Sequence, residues 1–276
     1  MLHSIVTGSA QPKFNKTNFR DMLVPVPPED IQEKIVAILQ PLDNKIELNN
    51  RINENLEQQA HAIYNSWFIY FTQNDGMKPS SWLDATLDDL TCLVTRGITP
   101  KYNEETDQIV LNQKCVRNHT IDLAPSRHHL PKAITEKWLK QGDLLINSTG
   151  EGTLGRVAQV WFEPKNMTVD SHITIVRPKD ELLKYYIGLW GMTHEKQIEE
   201  QHTGSTGQTE LPRERVKAMK ILKPDNDTLS SLNDLISPIA SCIVTNQEES
   251  LRLSMIRDIL LPKLMSGELD VSNIDI

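Results

Sequence analysis

The apolar positions fall into two long stripes that flank a differently patterned middle. Ile35, Leu39, Leu42, Ile46, Asn49, Asn53, Leu56, Ala60, Ile63 and Trp67 are separated by alternating steps of four and three. Leu232, Ile236, Ile239, Ile243, Asn246, Ser250, Leu253, Arg257, Leu260 and Leu264 repeat that spacing 197 residues later. Such spacing keeps one stripe of a helix facing one partner, so it predicts two long helices that pair as a coiled coil. The expected interface is Leu39, Leu42, Ile46, Asn49, Leu56 and Ile63 against Ile236, Ile239, Ile243, Asn246, Leu253 and Leu260. Asn49 and Asn246 share one seam position, where a buried asparagine fixes register. Pro28 followed by Glu29 and Asp30 marks the first helix start, because proline suits the first helical position and acids suit the positive dipole end. Asp227 or Thr228 is the expected cap of the second helix. Pro41 and Pro238 lie inside the helices and predict kinks.

The repeat extends beyond the helices. Gly8-Ser9-Ala10-Gln11 resembles Gly204-Ser205-Thr206-Gly207-Gln208, and the apolar run Met22 to Pro27 matches Met219 to Pro224. Each run predicts a short strand ending in proline, so one module of about 70 residues is used twice. A helix of about 40 residues is roughly 60 Å long. A compact middle of about 130 residues has a radius of gyration of roughly 14 Å. Parallel helices would force that middle to bridge the full helix length, so the pairing is expected to be antiparallel.

The middle reads as α+β. Strands are expected at Asp107 to Val116, Asp143 to Asn147, Arg156 to Phe162 and His172 to Arg177. Ala133 to Gln141 is expected as a short helix. A helix capped by Asp180 should cover Glu181 to Met192, with Glu195 to Gln201 also helical. Gly150-Glu151-Gly152-Thr153-Leu154-Gly155 spells a dinucleotide fingerprint. That fingerprint needs a helix to open at once, because the pyrophosphate rests on the helix N-terminus. The strand-like Arg156 to Trp161 follows instead, so a glycine-rich hairpin turn is expected.

Composition narrows the chemistry. Of 276 residues, 38% are apolar and 24% charged, with no run of the roughly 20 apolar residues that a membrane helix needs. No basic and apolar leader opens the chain, and Cys92, Cys115 and Cys242 are scattered, so a reducing, cytoplasmic setting is expected. His128, His129 and His172 show no metal-ligand spacing with the cysteines. No nucleophile elbow, Walker loop or amino-methylation tetrad is present. Net charge is −8, which argues against phosphate binding by the chain as a whole. The stretch Arg96 to Arg177 is the exception, with 11 basic and 9 acidic residues. Its loops hold side chains that suit base edges and phosphates: Arg96, Thr99, Lys101, Tyr102, Asn112, Lys114, Arg117, Asn147, Thr149 and Arg156. Ser205, Thr206 and Gln208 add hydroxyls and an amide farther on.

Several of these segments together resemble one family. They are Gly97-Ile-Thr-Pro-Lys-Tyr102, Lys140-Gln-Gly-Asp-Leu-Leu-Ile-Asn-Ser-Thr-Gly150 with Gly155-Arg156, Ser171-His172-Ile173, Gly204 to Gln208, and the twice-used proline-then-helix module. The chain is similar to the specificity (S) subunit of type I restriction–modification systems, and in particular to a C-terminal half with one target recognition domain. The resemblance implies a globular α/β recognition domain attached to two long helices in an antiparallel coiled coil. It divides the chain into the end of a missing recognition domain with its linker strand (1–27), a first conserved helix (28–74), the recognition domain (75–210), a linker strand (211–226), a second conserved helix (227–268) and a tail (269–276). It adds His172 to the expected DNA-binding residues. It implies no catalysis and no cofactor of the chain's own, with S-adenosylmethionine on a partner modification subunit that methylates adenine. The implied partners are double-stranded DNA, modification subunits and, through them, the motor-nuclease subunit. Pairing with a second copy or another half-subunit would restore two recognition domains. A coiled-coil adaptor, a spare recombination cassette and a stand-alone DNA-modifying enzyme are the competing readings.

Overall fold

The computed structural model describes residues 6–7, 13–14, 20, 26–132, 135–204 and 209–274. In chain order the elements are β1 (Val6–Thr7), β2 (Lys13–Phe14), α1 (Glu29–Tyr64), β3 (Leu83–Thr86), α2 (Leu87–Leu90), β4 (Thr91–Arg96), β5 (Ile109–Leu111), β6 (Val116–Arg117), β7 (Thr120–Ile121), β8 (Arg127–His128), β9 (Leu144–Asn147), β10 (Val157–Gln159), β11 (Met167–Val169), β12 (Ile173–Pro178), α3 (Lys184–Thr193), α4 (Glu195–Glu199), α5 (Arg213–Lys217), β13 (Lys220–Lys223) and α6 (Asn226–Ser266). The chain divides into two compact units, Met1–Asn50 with Glu248–Ile276, and Arg51–Gln247. The cut passes through both long helices rather than between the six segments expected from the sequence.

In the first unit the two helices run antiparallel. Asp43 pairs with Arg257 at 2.9 Å, Lys45 with Glu249 at 3.1 Å, and Lys34 Nζ donates to Ser272 O. Partners advance on one helix as they recede on the other. Ile35, Leu39, Leu264 and Val271 are buried together, with Leu42 and Leu260 packed against them. In the second unit Asn246 bonds Asn53, while Ala60, Leu232, Ile236 and Ala240 are buried in one core with Ile63 and Ile239 against it. Ile243 is also buried, and Ile46, Leu56 and Leu253 are half-buried, so every expected seam position faces inward to some degree. The antiparallel coiled coil read from the spacing is therefore present. Its far end departs from the expected stripe. The helix widens into a π-turn over Asn65–Ile69, and the buried residues become Tyr64 and Phe68 rather than Ile63 and Trp67. The register turns there because the apolar face meets the aromatics Tyr186, on α3, and Trp82 instead of the other long helix.

The second unit's sheet explains the unbroken apolar run of β9. Strands β10, β9, β12 and β4 form an antiparallel sheet in that order. Alternate side chains on a strand point to opposite faces. Leu144, Ile146, Val157 and Val176 enter the core shared with α1, α3 and α6. Leu145, Ala158, Ile173 and Ile175 enter a second core with Leu111, Cys115, Val116 and Val169. That second core is closed by strands β11, β5 and β8, with β11 and β5 parallel. Both sheet faces are covered, so the strand reads as continuously apolar. β13 pairs with β3, so the strand expected over Met219 to Pro224 is present.

Other expectations need correction. Described residues 135–141 form turns and extended backbone, not the expected helix. Their polar backbone serves the buried Arg177, whose guanidinium takes Glu136 O at 2.9 Å and Trp138 O at 2.6 Å. The expected strand Asp107 to Val116 breaks at Asn112, whose side chain caps a 3-10 turn over Gln113–Cys115. Helix α6 begins one residue earlier than expected, and Asp225 caps it by accepting from Thr228 N at 2.9 Å and Thr228 Oγ1 at 2.8 Å. The expected strand Met22 to Pro27 lies mostly outside the described residues.

Candidate nucleic-acid interface

The glycine run after β9 is a turn, as its sequence implies. β9 and β10 pair antiparallel across it, with Ile146 opposite Val157. Gly150, Gly152 and Gly155 have positive φ, a conformation that side chains with a Cβ resist. No helix opens there, and the first residues after it are strand.

Three loops meet at the ends of β9 and β12. Gln113 Nε2 donates to Thr149 O at 2.8 Å and to Thr149 Oγ1 at 2.6 Å. Thr149 Oγ1 lies 2.7 Å from His172 Nδ1. His172 is exposed, and its backbone N–H donates to Asp170 Oδ1 at 2.9 Å. Burial pushes the Asp170 carboxyl up from its ordinary range, against the opposing pull of the His172 backbone N–H. Asn147 sits beneath this cluster. It is fully buried, and its Nδ2 donates to Gln113 O at 3.1 Å, so it braces the loop rather than facing a ligand. Arg96 stands at the edge, paired with Glu210 at 2.8 Å and donating to Leu211 O at 3.2 Å.

A second group lies along Gly97 to Lys132. Gly97 has no room for a Cβ against the Val169 and Asp170 carbonyls, so its backbone lies flat on β11's end. From there Thr99, Lys101 and Tyr102 are exposed. The Arg127 guanidinium sits 3.7 Å from the centre of the Tyr102 ring. Lys132 Nζ donates to Thr99 O, and Lys137 Nζ donates to Gly97 O at 3.0 Å, so these two cations hold the loop's backbone. Arg127 lies outside the expected binding set. The run Arg127-His128-His129 carried a usable signal, a cation beside a turn in the basic stretch.

The remaining expected residues divide by exposure. Lys114 and Arg117 are exposed on and beside the β6–β7 hairpin, and Arg156 is half-buried. That hairpin turns on Asn118 and His119, both with positive φ, the signature of a tight two-residue turn. Asn112 spends its amide on Lys114 N at 2.9 Å and Pro125 O at 2.6 Å, which leaves it a structural residue. Ser205, Thr206 and Gln208 lie outside the described residues. Among the described residues no group of three or more metal-ligating side chains converges. Burial pushes the Cys115 thiol up to about 11, which keeps it protonated and inert. No helix among the described residues is long and apolar enough to cross a membrane.

The arrangement is a rim of cations, hydroxyls and one imidazole carried on loops above a rigid double core. Comparison with known proteins shows what the chain is similar to. Residues 2–58 match the type I restriction modification DNA specificity domain. Over 99% of its length the chain is 24% identical to the type I restriction enzyme MjaIX specificity subunit of Methanocaldococcus jannaschii, covering 66% of that protein. Over 94% it is 21% identical to the type I restriction enzyme HindI specificity subunit of Haemophilus influenzae, covering 71% of it. The chain thus spans about two thirds of the curated relatives it matches. The fold is similar to the crystal structure of a type I restriction–modification S subunit from M. genitalium, with a TM-score of 0.59 at 14% identity, covering 95% of this chain and 68% of that one. The chain is thus similar over nearly its whole length to the specificity subunits of type I restriction–modification systems.

Proposed function

We propose that the chain is the non-catalytic DNA-reading component of a type I restriction–modification complex, directing adenine methylation and restriction by partner subunits. The supporting observation is the loop rim of the second unit, where Lys101, Tyr102, Lys114, Arg117 and His172 are exposed in the one locally basic stretch. Phosphate contacts supply affinity and base-edge contacts supply sequence choice, and the rim offers groups for both. The acidic helices suit protein partners better than phosphates. S-adenosylmethionine is expected on the modification subunit, and the motor-nuclease subunit is expected to join through it, in the cytoplasm.

Pairing with a second copy or another half-subunit belongs to the same proposal, but not through the seam. The seam positions already face the other helix of the same chain. The outer face of α6 carries Leu251, Met255 and Ile259 at four-residue spacing, 53–60% exposed, and is the surface that a second copy would use. Gel shifts with the chain alone, with a modification subunit, and with both plus duplex DNA test the reading. Duplex binding that appears with the modification subunit supports it. Partner binding without DNA binding, or turnover by the purified chain, contradicts it. A solution mass fixed at one chain at micromolar concentration contradicts the pairing.

A further inference from the structure

We propose that Gln113 and Thr149 act as positioning residues that hold His172 in one tautomer, so that its Nε2–H is presented to a hydrogen-bond acceptor on DNA. The proposal rests on the DNA-reading function and names how one part of the rim does it.

The direction of the hydrogen bonds follows from which atoms can only accept. Thr149 O is a carbonyl, so the Gln113 group 2.8 Å away must be the amide nitrogen. The same nitrogen has two hydrogens, and the second goes to Thr149 Oγ1 at 2.6 Å. The threonine hydroxyl thereby accepts from Gln113 and has one proton left to give. His172 Nδ1 lies 2.7 Å from this hydroxyl, and we assign it as the acceptor of that proton. An imidazole nitrogen that accepts carries no proton, so in the neutral ring the proton resides on Nε2. His172 is exposed, and among the described residues its Nε2 makes no hydrogen bond. The chain of donors therefore ends on the Nε2–H of an exposed side chain.

The scaffold beneath is rigid. Asn147 holds Gln113 O from below, and the His172 backbone N–H is fixed on Asp170. Gly150 adds a steric condition. A Cβ there would stand 2.8 Å from Gln113 Oε1, so glycine leaves the amide its place. Acceptors that such a donor can meet are guanine O6 and N7, adenine N7, thymine O4 and phosphate oxygens. The shared chemistry is an unprotonated oxygen or nitrogen of the duplex.

The experiment has two arms. In the first, the full chain is labelled with 15N-histidine, and NMR reads which ring nitrogen of His172 carries the proton at neutral pH. Protonated Nε2 with bare Nδ1 is expected, and a proton on Nδ1 overturns the proposal. Gln113→Glu reverses the donor chain and is expected to move the proton to Nδ1. An unchanged tautomer in that variant, with the chain folded by circular dichroism, overturns the positioning role. In the second arm, the chain assembled with its modification subunit is titrated against a library of randomised duplexes. His172→Phe and Thr149→Val are each expected to weaken binding about tenfold, and Thr149→Ser to restore it. Loss confined to one base position identifies a base edge, and loss uniform across sequences identifies a phosphate. Unchanged affinity and preference in His172→Phe overturn the proposal while leaving DNA reading intact. Absence of duplex binding by the wild-type assembly overturns both.

Discussion

Asn246 Nδ2 donates to Asn53 Oδ1 at 2.8 Å across the two long helices. The 197-residue offset maps Asn246 onto Asn49 and Asn53 onto Ser250. Asn49 Nδ2 donates in turn to Ser250 Oγ at 3.2 Å and to Glu249 at 2.8 Å. One polar step is thus built twice, once from each copy of the module. Amides in an apolar seam must find partners, so the step admits one alignment of the helices. Asn53 also donates to Ile243 O at 3.3 Å. Asn53→Ala is expected to lower unfolding free energy by about 1–3 kcal/mol, because it strands the groups that Asn53 satisfied. Urea unfolding checks it. A midpoint unchanged from wild type would mean that the asparagine does not hold the register.

The seam is not uniform in depth. Leu232 and Ile236 are fully buried, whereas Leu56 and Leu253 are half-buried. Leu232→Ala or Ile236→Ala should cost about 2–5 kcal/mol. Leu56→Ala and Leu253→Ala should cost about 1 kcal/mol, since much of each side chain stays in water. Equal losses in all four, by urea unfolding, would contradict the burial order.

Much of this was legible in the sequence, for a physical reason. Alternating four and three spacing has one good solution, and the 197-residue repeat showed it twice. The antiparallel sense followed from chain length alone. The short strands β9, β10 and β12 were also marked, because both faces of their sheet are covered and their runs are apolar. The failures have one cause, that local pattern does not report a distant partner. Residues 135–141 look amphipathic, yet their carbonyls serve Arg177 far along the chain. The sequence points to Asp227 or Thr228 as the cap of α6, but Asp225 takes that part, and its carboxylate also reaches the distant Trp82 Nε1 at 3.0 Å. Asn112 and Asn147 read as base-contacting amides, but loop geometry turns both inward. Arg127 is marked in the sequence as a cation beside a turn, but only the fold shows it stacked over Tyr102.

Asp225 gives the chain a pH-dependent cap. Its carboxylate accepts from the Thr228 backbone and hydroxyl, from Trp82 Nε1 and from Ser81 Oγ at 3.3 Å. These bonds hold its carboxyl below the usual range, with the Thr228 backbone bond first among them. A depressed folded-state pKa adds stability that is present above the unfolded pKa of about 3.9 and is lost as pH falls through the lower folded value. Asp225→Ala should cost about 1 kcal/mol at pH 7. The gap between variant and wild type should close as the pH is lowered below about 4. Thermal melts across that range test it, and a gap that persists in acid would remove the carboxylate from the cap.

Arg177 ends the locally basic stretch, and the structure gives it a buried task. Its Nε and Nη2 each lie 2.7 Å from Asp143, which is fully buried, and its remaining donors take backbone carbonyls. Replacing one partner leaves the other charge buried and alone. Arg177→Leu is therefore expected to cost about 3–5 kcal/mol. Asp143→Asn with Arg177→Gln should recover part of that loss. Chemical unfolding of the single and double variants separates the two, and a mild Arg177→Leu phenotype would mean that water reaches the pair.

Lys101 and Arg127 are the cations best placed to meet a duplex, and they should act through charge. Lys101 is exposed, and Arg127 lies flat on Tyr102, which is 46% exposed, with Glu104 at 3.3 Å. Stacking fixes the guanidinium plane, and the Glu104 pair at 3.3 Å is solvent-exposed and weak, so a phosphate can displace it. A phosphate contact weakens binding alike for every sequence and contributes about 0.9 to the slope of log affinity against log salt. Lys101→Ala and Arg127→Ala in the assembled complex are each expected to reduce that slope by about one. Arg96→Ala should behave differently. Arg96 already serves Glu210 and Leu211 O, so its loss disturbs the loop that it anchors and leaves the slope near the wild-type value. Dissociation constants measured at four or five salt concentrations on one target and one unrelated duplex decide the matter. A slope that Lys101→Ala and Arg127→Ala leave unchanged would place the loop away from the DNA.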